Sequence, residues 1–165
     1  FGGNSEMRGY DYLSFLGNKG FFGNAELRFA IIEAALTTIG VVGGLRGVFF
    51  FNFGAAGYEG VETNVWTTDT TIETPILDYA YDPFSPSQFV PVYGTPRPVS
   101  GFRLIDSRAS YGVGLETFAL GFPMHFDWSW RTLFNKDWED VAFAAMGGHE
   151  EFRAPRFTFW IGYDF

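Results

Sequence analysis

Apolar residues fall at every second position in five separate stretches of this chain. In "RFTFWIGYDF", residues 156 to 165, Phe157, Phe159, Ile161, Tyr163 and Phe165 alternate with Arg156, Thr158, Trp160, Gly162 and Asp164. A period of two predicts a strand, because successive side chains of an extended chain point to opposite faces. "FFGNAELRFAI" sets Phe21, Ala25, Leu27, Phe29 and Ile31 against Asn24, Glu26 and Arg28. "LRGVFFFNFGAA" sets Leu45, Phe49, Phe51, Phe53 and Ala55 against Arg46, Asn52 and Gly54. From Arg108 to Glu116, Ala109, Tyr111, Val113 and Leu115 oppose Ser110, Gly112 and Gly114, and in "MHFDWSWRTLF" Met124, Phe126, Trp128, Trp130 and Phe134 oppose His125, Asp127, Ser129 and Arg131. The pattern predicts strands at 21–31, 44–57, 107–121, 123–134 and 156–165, each with one large apolar face and one polar, Gly-rich face.

The connections alternate in length. The gap 32–43 is short, 58–106 is very long, "LGFP" is a tight turn, and 135–155 is long again. Segments 58–106 and 135–155 are expected as long surface loops. The first holds Glu59, Glu62, Asp69, Glu73, Asp78, Asp82 and Asp106 against Arg97 and Arg103. Its Trp66, Phe84, Phe89 and Tyr93 make it too apolar for a disordered linker, so some local structure is expected.

Two all-β architectures accommodate such strands. A water-soluble sandwich would turn the apolar faces inward, where rings as bulky as Trp128, Trp130, Phe49, Phe51 and Phe53 would interdigitate in a core about 10 Å thick. A membrane barrel would turn them to lipid and line a wet lumen with the charged faces, using strands of about 9 to 11 residues. Strand length, aromatic residues near strand ends and the charges Glu26, Arg28, Arg46, Glu116, Asp127 and Arg131 favour the antiparallel up-and-down barrel, as does the short-long alternation of loops.

Composition narrows the chemistry. Phe and Gly contribute 21 residues each among 165, a pairing that suits a sheet whose rings face something other than water. The formal net charge of −8 and the lack of a Lys/Arg-rich run argue against a nucleic-acid partner. Without cysteine there can be no disulfide, thiolate metal site or cysteine nucleophile. A spanning helix needs roughly 18 consecutive apolar residues, and the best candidate, Ala34 to Leu45, is bounded by Glu33 and Arg46 and rich in Gly and Thr. The opening "FGGNSEMRGYDY" has neither the basic region nor the apolar run of a secretory leader, so the mature chain or a longer precursor is expected to carry the address elsewhere. His125 reads as a face-lining residue and His149 as a loop residue, neither with metal-ligand spacing. Glu150, Glu151 and the acids of 58–106 read as solvated, with weak Ca²⁺ binding as the alternative. Neither a phosphate-binding Gly loop nor a Ser/His/Asp arrangement stands out, so no catalytic residue, metal or cofactor is expected.

Four motifs carry a resemblance. Gly2-Gly3 followed by Met7-Arg8-Gly9-Tyr10 resembles the loop signature of the BamA-type outer-membrane assembly and translocation barrels, the bacterial surface antigen family. "NAELRF" (24–29) resembles that family's next strand, which usually ends in Arg-Phe-Pro, with Ala30 here in place of proline. "FFNFG" (50–54) resembles its Phe-x-Asp-x-Gly strand, with Asn52 at the Asp position, and "FWIGYDF" resembles its last strand. The resemblance covers nearly the whole chain. It implies that residues 1–20 form a loop folded into a lumen and that this chain supplies about the last five of sixteen strands, since five cannot close a barrel. The preceding part of the same polypeptide, with POTRA domains or a TolB-like propeller upstream, is then expected.

The resemblance also implies an outer membrane of a Gram-negative-type bacterium, lipid and other outer-membrane or periplasmic proteins as partners, and insertion or translocation of polypeptides without catalysis. A structural barrel that binds a partner complex through its loops or its upstream periplasmic domain, and a barrel-anchored hydrolase with its active site upstream, are the alternatives. For the site it implies that Arg8 meets the strand of Asn52. A neutral Asn52 cannot form the family's charge-assisted pair, which leaves Glu26 and Glu116 as candidate carboxylates. The ordinary reading of Met7 to Tyr10 is a turn in which Gly9 supplies backbone freedom. The terminal strand, Phe157, Phe159, Ile161, Gly162, Tyr163 and Phe165, would form one side of the barrel seam by edge pairing.

Overall fold

The computed structural model describes residues 6–37, 40–119 and 122–162. Tyr163 and Phe165 of the expected seam, Gly2 and Gly3 of the loop motif, and residues 120–121 of the expected tight turn lie outside them. In chain order the elements are β1 (Lys19–Thr37), β2 (Gly40–Gly57), β3 (Trp66–Thr67), β4 (Thr71–Glu73), β5 (Ile76–Asp82), β6 (Ser85–Tyr93), β7 (Arg97–Val99), β8 (Arg103–Leu104), β9 (Ser107–Ala119), β10 (Phe122–Thr132), α1 (Lys136–Ala142), a 3-10 turn (Ala144–Met146), α2 (Gly148–Phe152) and β11 (Arg156–Ile161). The chain is mostly antiparallel sheet, as the alternation predicts. No helix among the described residues is long and apolar enough to cross a membrane.

The chain divides into two compact units. Unit 1 comprises 1–63, 108–131 and 155–165, and unit 2 comprises 64–107 and 132–154. Unit 1 is built on a sheet of five strands in the order β1-β2-β9-β10-β11, so that β1 and β11 are its edges among the described residues. The five predicted strands are these five, but β1 and β2 are much longer than expected. Of the expected connection 32–43, residues 32–37 and 40–43 are strand: β1 runs to Thr37 and β2 starts at Gly40, with Thr37 opposite Gly40. The reason lies in the register, which shifts between Ala30 and Ile32. A bulge adds one residue to one strand and reverses the phase of alternation beyond it, so the period-two signal stops at Ile31 although the strand continues. The first loop is also shorter than 1–20, because β1 starts at Lys19.

The burial of this sheet is inverted relative to a soluble one. On β2, Asn52 keeps 1% of its surface exposed whereas its neighbour Phe51 keeps 39%. On β10, Asp127 keeps 4%, and His125 and Ser129 are also buried, while Phe126, Trp128 and Trp130 between them stay half-exposed. Phe157 and Phe159 of β11 are exposed at 56% and 45%. The exposed rings meet across strands, Phe126 with Phe159 and Trp128 with Phe157 both at 5.1 Å between centroids, Phe29 with Phe49 at 5.5 Å and Phe21 with Phe53 at 5.6 Å. Phe29 also lies across Gly47, whose missing side chain makes room for the ring.

Unit 2 takes in most of both long segments of the sequence reading, and the local structure expected in 58–106 is present. Residues 58–106 and 135–155 are not plain loops: the paired strands β3-β8, β4-β7 and β5-β6, with α1, the 3-10 turn and α2, form a unit with its own core. That core holds Val99, Leu104, Leu133, Val141 and Phe152 together with the buried Arg103 and Glu139. Arg103 donates to the carbonyls of Asp69 (2.7 Å) and Gly101 (3.2 Å) and to Thr71 Oγ1 (2.9 Å), and its guanidinium lies over the Trp138 ring. Glu139 accepts from the Leu133 amide at 2.6 Å and pairs with Arg153 at 2.5 and 3.0 Å. Asn135 caps α1, its side chain accepting from the Trp138 amide.

Candidate functional site

The polar face of the unit 1 sheet is covered by the segment that precedes β1. Tyr10 N donates to Met7 O at 3.1 Å, closing a turn in which Gly9 takes a φ of 88°. This left-handed position is one that glycine occupies without a Cβ penalty. The turn of the ordinary reading is present, and it is pressed onto the polar face of the sheet. Met7 is fully buried against Gly54 of β2, and Arg8 is buried with its guanidinium 4.6 Å over the Phe50 ring. The backbone of Gly9 sits close enough to Ser129 of β10 that a Cβ there would meet its Oγ at 2.9 Å. Tyr10 donates its hydroxyl proton to the Ala109 carbonyl at 3.1 Å, and Arg156 of β11 donates to Gly9 O at 3.3 Å and Asp11 Oδ1 at 2.9 Å.

The Gly-rich character of this face has a steric cause. Phe50 lies where a side chain at Gly112 would stand, and the Asp127 carboxylate lies where one at Gly114 would stand. Two glycines of β9 thus create the recess that holds a ring and a carboxylate beneath Arg8.

From there Arg and Glu side chains of alternating charge cross the face and end beside His125. Arg8 Nη2 stands 2.7 Å from Glu26 Oε1, and Arg8 Nε 3.5 Å from Asp127 Oδ2. The other Glu26 oxygen accepts from Arg28 Nη2 at 2.6 Å, and Arg28 Nε is 3.6 Å from Glu116 Oε1, which is also 3.6 Å from His125 Nδ1. His125 stacks on Trp160 with 3.7 Å between centroids, its Nε2 lies 3.1 Å from the Gly162 carbonyl, and Trp160 donates its indole N–H to Asp127 at 3.1 Å. A cleft of about 620 Å³ opens beside this run, lined by Arg28, Glu33, Arg46, Glu116 and His125 among others.

Of the expected partners of Arg8, Glu26 is in contact. Glu116 is not paired with Arg8; its Oε1 lies 3.6 Å from Arg28 Nε and 3.6 Å from His125 Nδ1. Asn52 reaches the loop indirectly: its Nδ2 donates to Ser110 Oγ at 3.2 Å, and Ser110 Oγ donates to the Arg8 carbonyl at 2.5 Å. Asp127, Ser110, Phe50 and Trp160 complete the site without having been assigned to it from sequence. The register was the available signal: His125 pairs with Trp160 and Asp127 with Thr158 in β10-β11, so each lies within one diagonal step of the other's partner. On the terminal strand Phe157, Phe159 and Ile161 share the exposed face, and Gly162 follows with a φ of 145°.

A second charged cluster belongs to unit 2. Asp140 Oδ1 accepts from the backbone N–H and from Nδ1 of His149, both at 2.8 Å, with Arg97 at 3.8 Å. Burial by itself raises the Asp140 carboxyl, but the His149 hydrogen bonds and charge, with Arg97, outweigh it and hold the group below its ordinary value. His149 is thereby anchored to α1. No group of three or more His, Asp or Glu side chains among the described residues is disposed around a metal position. Comparison of the chain with protein-family models, curated proteins and solved structures finds no match.

Proposed function

We propose that the five-stranded sheet is the C-terminal part of a transmembrane β-barrel of the BamA-like kind, in which the exposed aromatic face meets lipid and the loop-covered charged face lines the lumen. The inverted burial carries this reading: on a single sheet Asn52 and Asp127 are hidden while Phe51, Phe157 and Phe159 are exposed. In water a contiguous aromatic face of this kind would be a large exposed apolar patch, whereas in hydrocarbon it is the stable arrangement. Two edge strands would leave backbone groups unsatisfied in lipid at several kcal/mol each, so the remaining strands are inferred to come from the preceding part of the polypeptide.

The activity that fits is insertion or passage of other polypeptides in an outer membrane, without bond chemistry. A plugged scaffold barrel that binds a partner through its loops is the second reading, favoured by the organisation of the long connections into a compact unit 2. POTRA domains upstream would support the first, a propeller the second.

The test of the barrel is depth-dependent quenching in proteoliposomes of the full chain. Labels at Phe51, Trp128 and Phe159 are expected to respond to acyl-chain quenchers, and labels at Asn52, Asp127 and Thr158 only to aqueous ones. The opposite assignment would make this a soluble sandwich.

A further inference from the structure

Three aromatic rings of unit 2 stand together on its surface. The Trp66 ring lies 5.8 Å from that of Phe102, and the Phe102 ring 5.9 Å from that of Phe134. Their residues are exposed at 57%, 46% and 46%. Phe134 takes a φ of 64°, a left-handed conformation that a bulky residue rarely adopts, and its amide donates to Thr132 Oγ1 at 2.9 Å. Strain of this kind persists only where the surroundings fix it.

The rings are tied to the ends of two strands of the five-stranded sheet. β9 begins at Ser107 and β10 ends at Thr132, and both of these residues belong to unit 2. Ser107 Oγ donates to the Val65 carbonyl at 2.6 Å, as does the Ile105 amide at 3.2 Å, and Trp66 itself pairs with Leu104. Trp66 is thereby held beside the start of β9. The Leu104 amide donates to Leu133 O at 3.1 Å and Asn135 Nδ2 to Ser100 O at 2.8 Å, which fastens the segment of Phe102 to that of Phe134.

We propose that Trp66, Phe102 and Phe134 form an anchor that seats this part of unit 2 in the headgroup layer of the bilayer. The inference rests on the barrel reading of the sheet. Strand length then sets the depth: β9 has 13 residues and β10 has 11, where a tilted spanning strand needs about 9 to 11. Ser107 and Thr132 therefore fall at the boundary between hydrocarbon and water. Phe134 lies two residues beyond Thr132, and Trp66 is bound to the segment that enters Ser107. The two flanking media are each excluded by one property of the site. In water the three rings would be an uncovered apolar patch. In hydrocarbon the backbone around them, irregular at 100–102 and 133–135, would lose the water that satisfies it. The headgroup layer accepts both, taking the ring faces and hydrogen-bonding the Trp66 indole N–H.

The chain has no cysteine, so single nitroxide labels can be introduced without background. Labels at Trp66, Phe102 or Phe134 of the full chain in phosphatidylcholine vesicles are read by collision with oxygen, which partitions into lipid, and with a water-soluble nickel chelate. Lipids labelled at the headgroup and along the acyl chain calibrate the depth. All three labels are expected at headgroup depth, with a label at Phe51 in hydrocarbon. Phe102→Ser with Phe134→Ser should raise the nickel collision rate of the Trp66 label severalfold, and Phe102→Tyr with Phe134→Tyr should leave it nearly unchanged. Should the serine variant not fold, the depths in the singly labelled chains decide alone. Free collision of all three labels with the nickel chelate while Phe51 stays in hydrocarbon would overturn the anchor and leave the barrel standing. Labels shielded from both reagents would overturn it as well, since protein would then cover the rings. A Phe51 label in water would sink the barrel reading and the anchor with it.

Discussion

The hydroxyl of Ser110, on β9, donates at 2.5 Å to the backbone carbonyl of Arg8, a residue 102 positions earlier in the chain. Its lone pairs in turn receive Asn52 Nδ2. One buried hydroxyl therefore joins the loop to two strands of the sheet.

This relay reverses the expectation for Asn52→Asp. Reasoning from the resemblance alone, an aspartate would restore a charge pair with Arg8 and be tolerated. In the structure the Ser110 proton is already committed to Arg8 O, so a carboxylate at 52 would face lone pairs in a site with 1% exposure. Asn52→Asp is expected to destabilise by about 1 to 3 kcal/mol, the range for a buried polar group deprived of its partner. Ser110→Ala should cost a similar amount. Urea unfolding in detergent micelles would measure both, and a stabilised Asn52→Asp would show that the Arg8 guanidinium can reorient toward residue 52.

Arg8→Ala removes the cation that lies between Glu26 and Asp127 and the contact over Phe50. A loss of about 1 to 3 kcal/mol is expected, with faster proteolysis of residues 6–18. Arg8→Lys should recover only part of it, because an ammonium cannot address two carboxylates with a planar fork. Full rescue by lysine would mean that charge alone holds the loop.

The alternation made five strands and their apolar and polar faces legible before any coordinates, because each side chain's face follows from its parity. Parity failed where the bulge between Ala30 and Ile32 reset it. Unit 2 was hidden for a different reason. Its strands are as short as two residues, and its core contains Arg103 and Glu139, which a sequence reading assigns to the surface. The placing of Glu116 beside Arg28 and His125 rather than Arg8 depends on the reach of side chains across neighbouring strands, and hydrophobic pattern does not encode reach.

Phe51→Arg tests the apolar face energetically. An arginine near the midplane of a spanning strand costs about 2 to 4 kcal/mol, whereas on an exposed face in water it would be nearly neutral. Comparing the variant's unfolding free energy in lipid vesicles with that of Leu77→Arg, on the exposed hairpin of unit 2, separates the two cases. Equal, small effects would place Phe51 in water.

The lowered Asp140 carboxyl predicts an acid-sensitive unit 2. A group whose folded value is depressed contributes its stability fully above its unfolded value, here close to 3.8, and loses it as pH falls from there through the folded value. Hydrogen exchange of the α1 and α2 amides should therefore accelerate below about pH 4. Asp140→Asn should flatten that part of the profile while leaving the neutral-pH dependence of unit 1 unaltered. An unchanged acid limb in the variant would assign it to other carboxylates.

Gly9 and Gly60 make a matched pair for the last test. Both have positive φ, 88° and 81°, but a Cβ at Gly9 would meet Ser129 Oγ at 2.9 Å and Cβ at 3.2 Å, whereas one at Gly60 meets nothing within 4 Å. Alanine in the left-handed region costs roughly 1 to 2 kcal/mol at either position. The loss for Gly9→Ala should exceed that for Gly60→Ala, because the turn must also retreat from β10, weakening the Arg156 bond to Gly9 O and lifting Arg8 from Phe50. Urea midpoints give the difference, and proteolysis of residues 6–18 should be accelerated in Gly9→Ala alone. Equal losses, with the loop equally protected in both variants, would mean that the turn is not held against Ser129, and the covering of the polar face would then have to rest on Met7 and Tyr10.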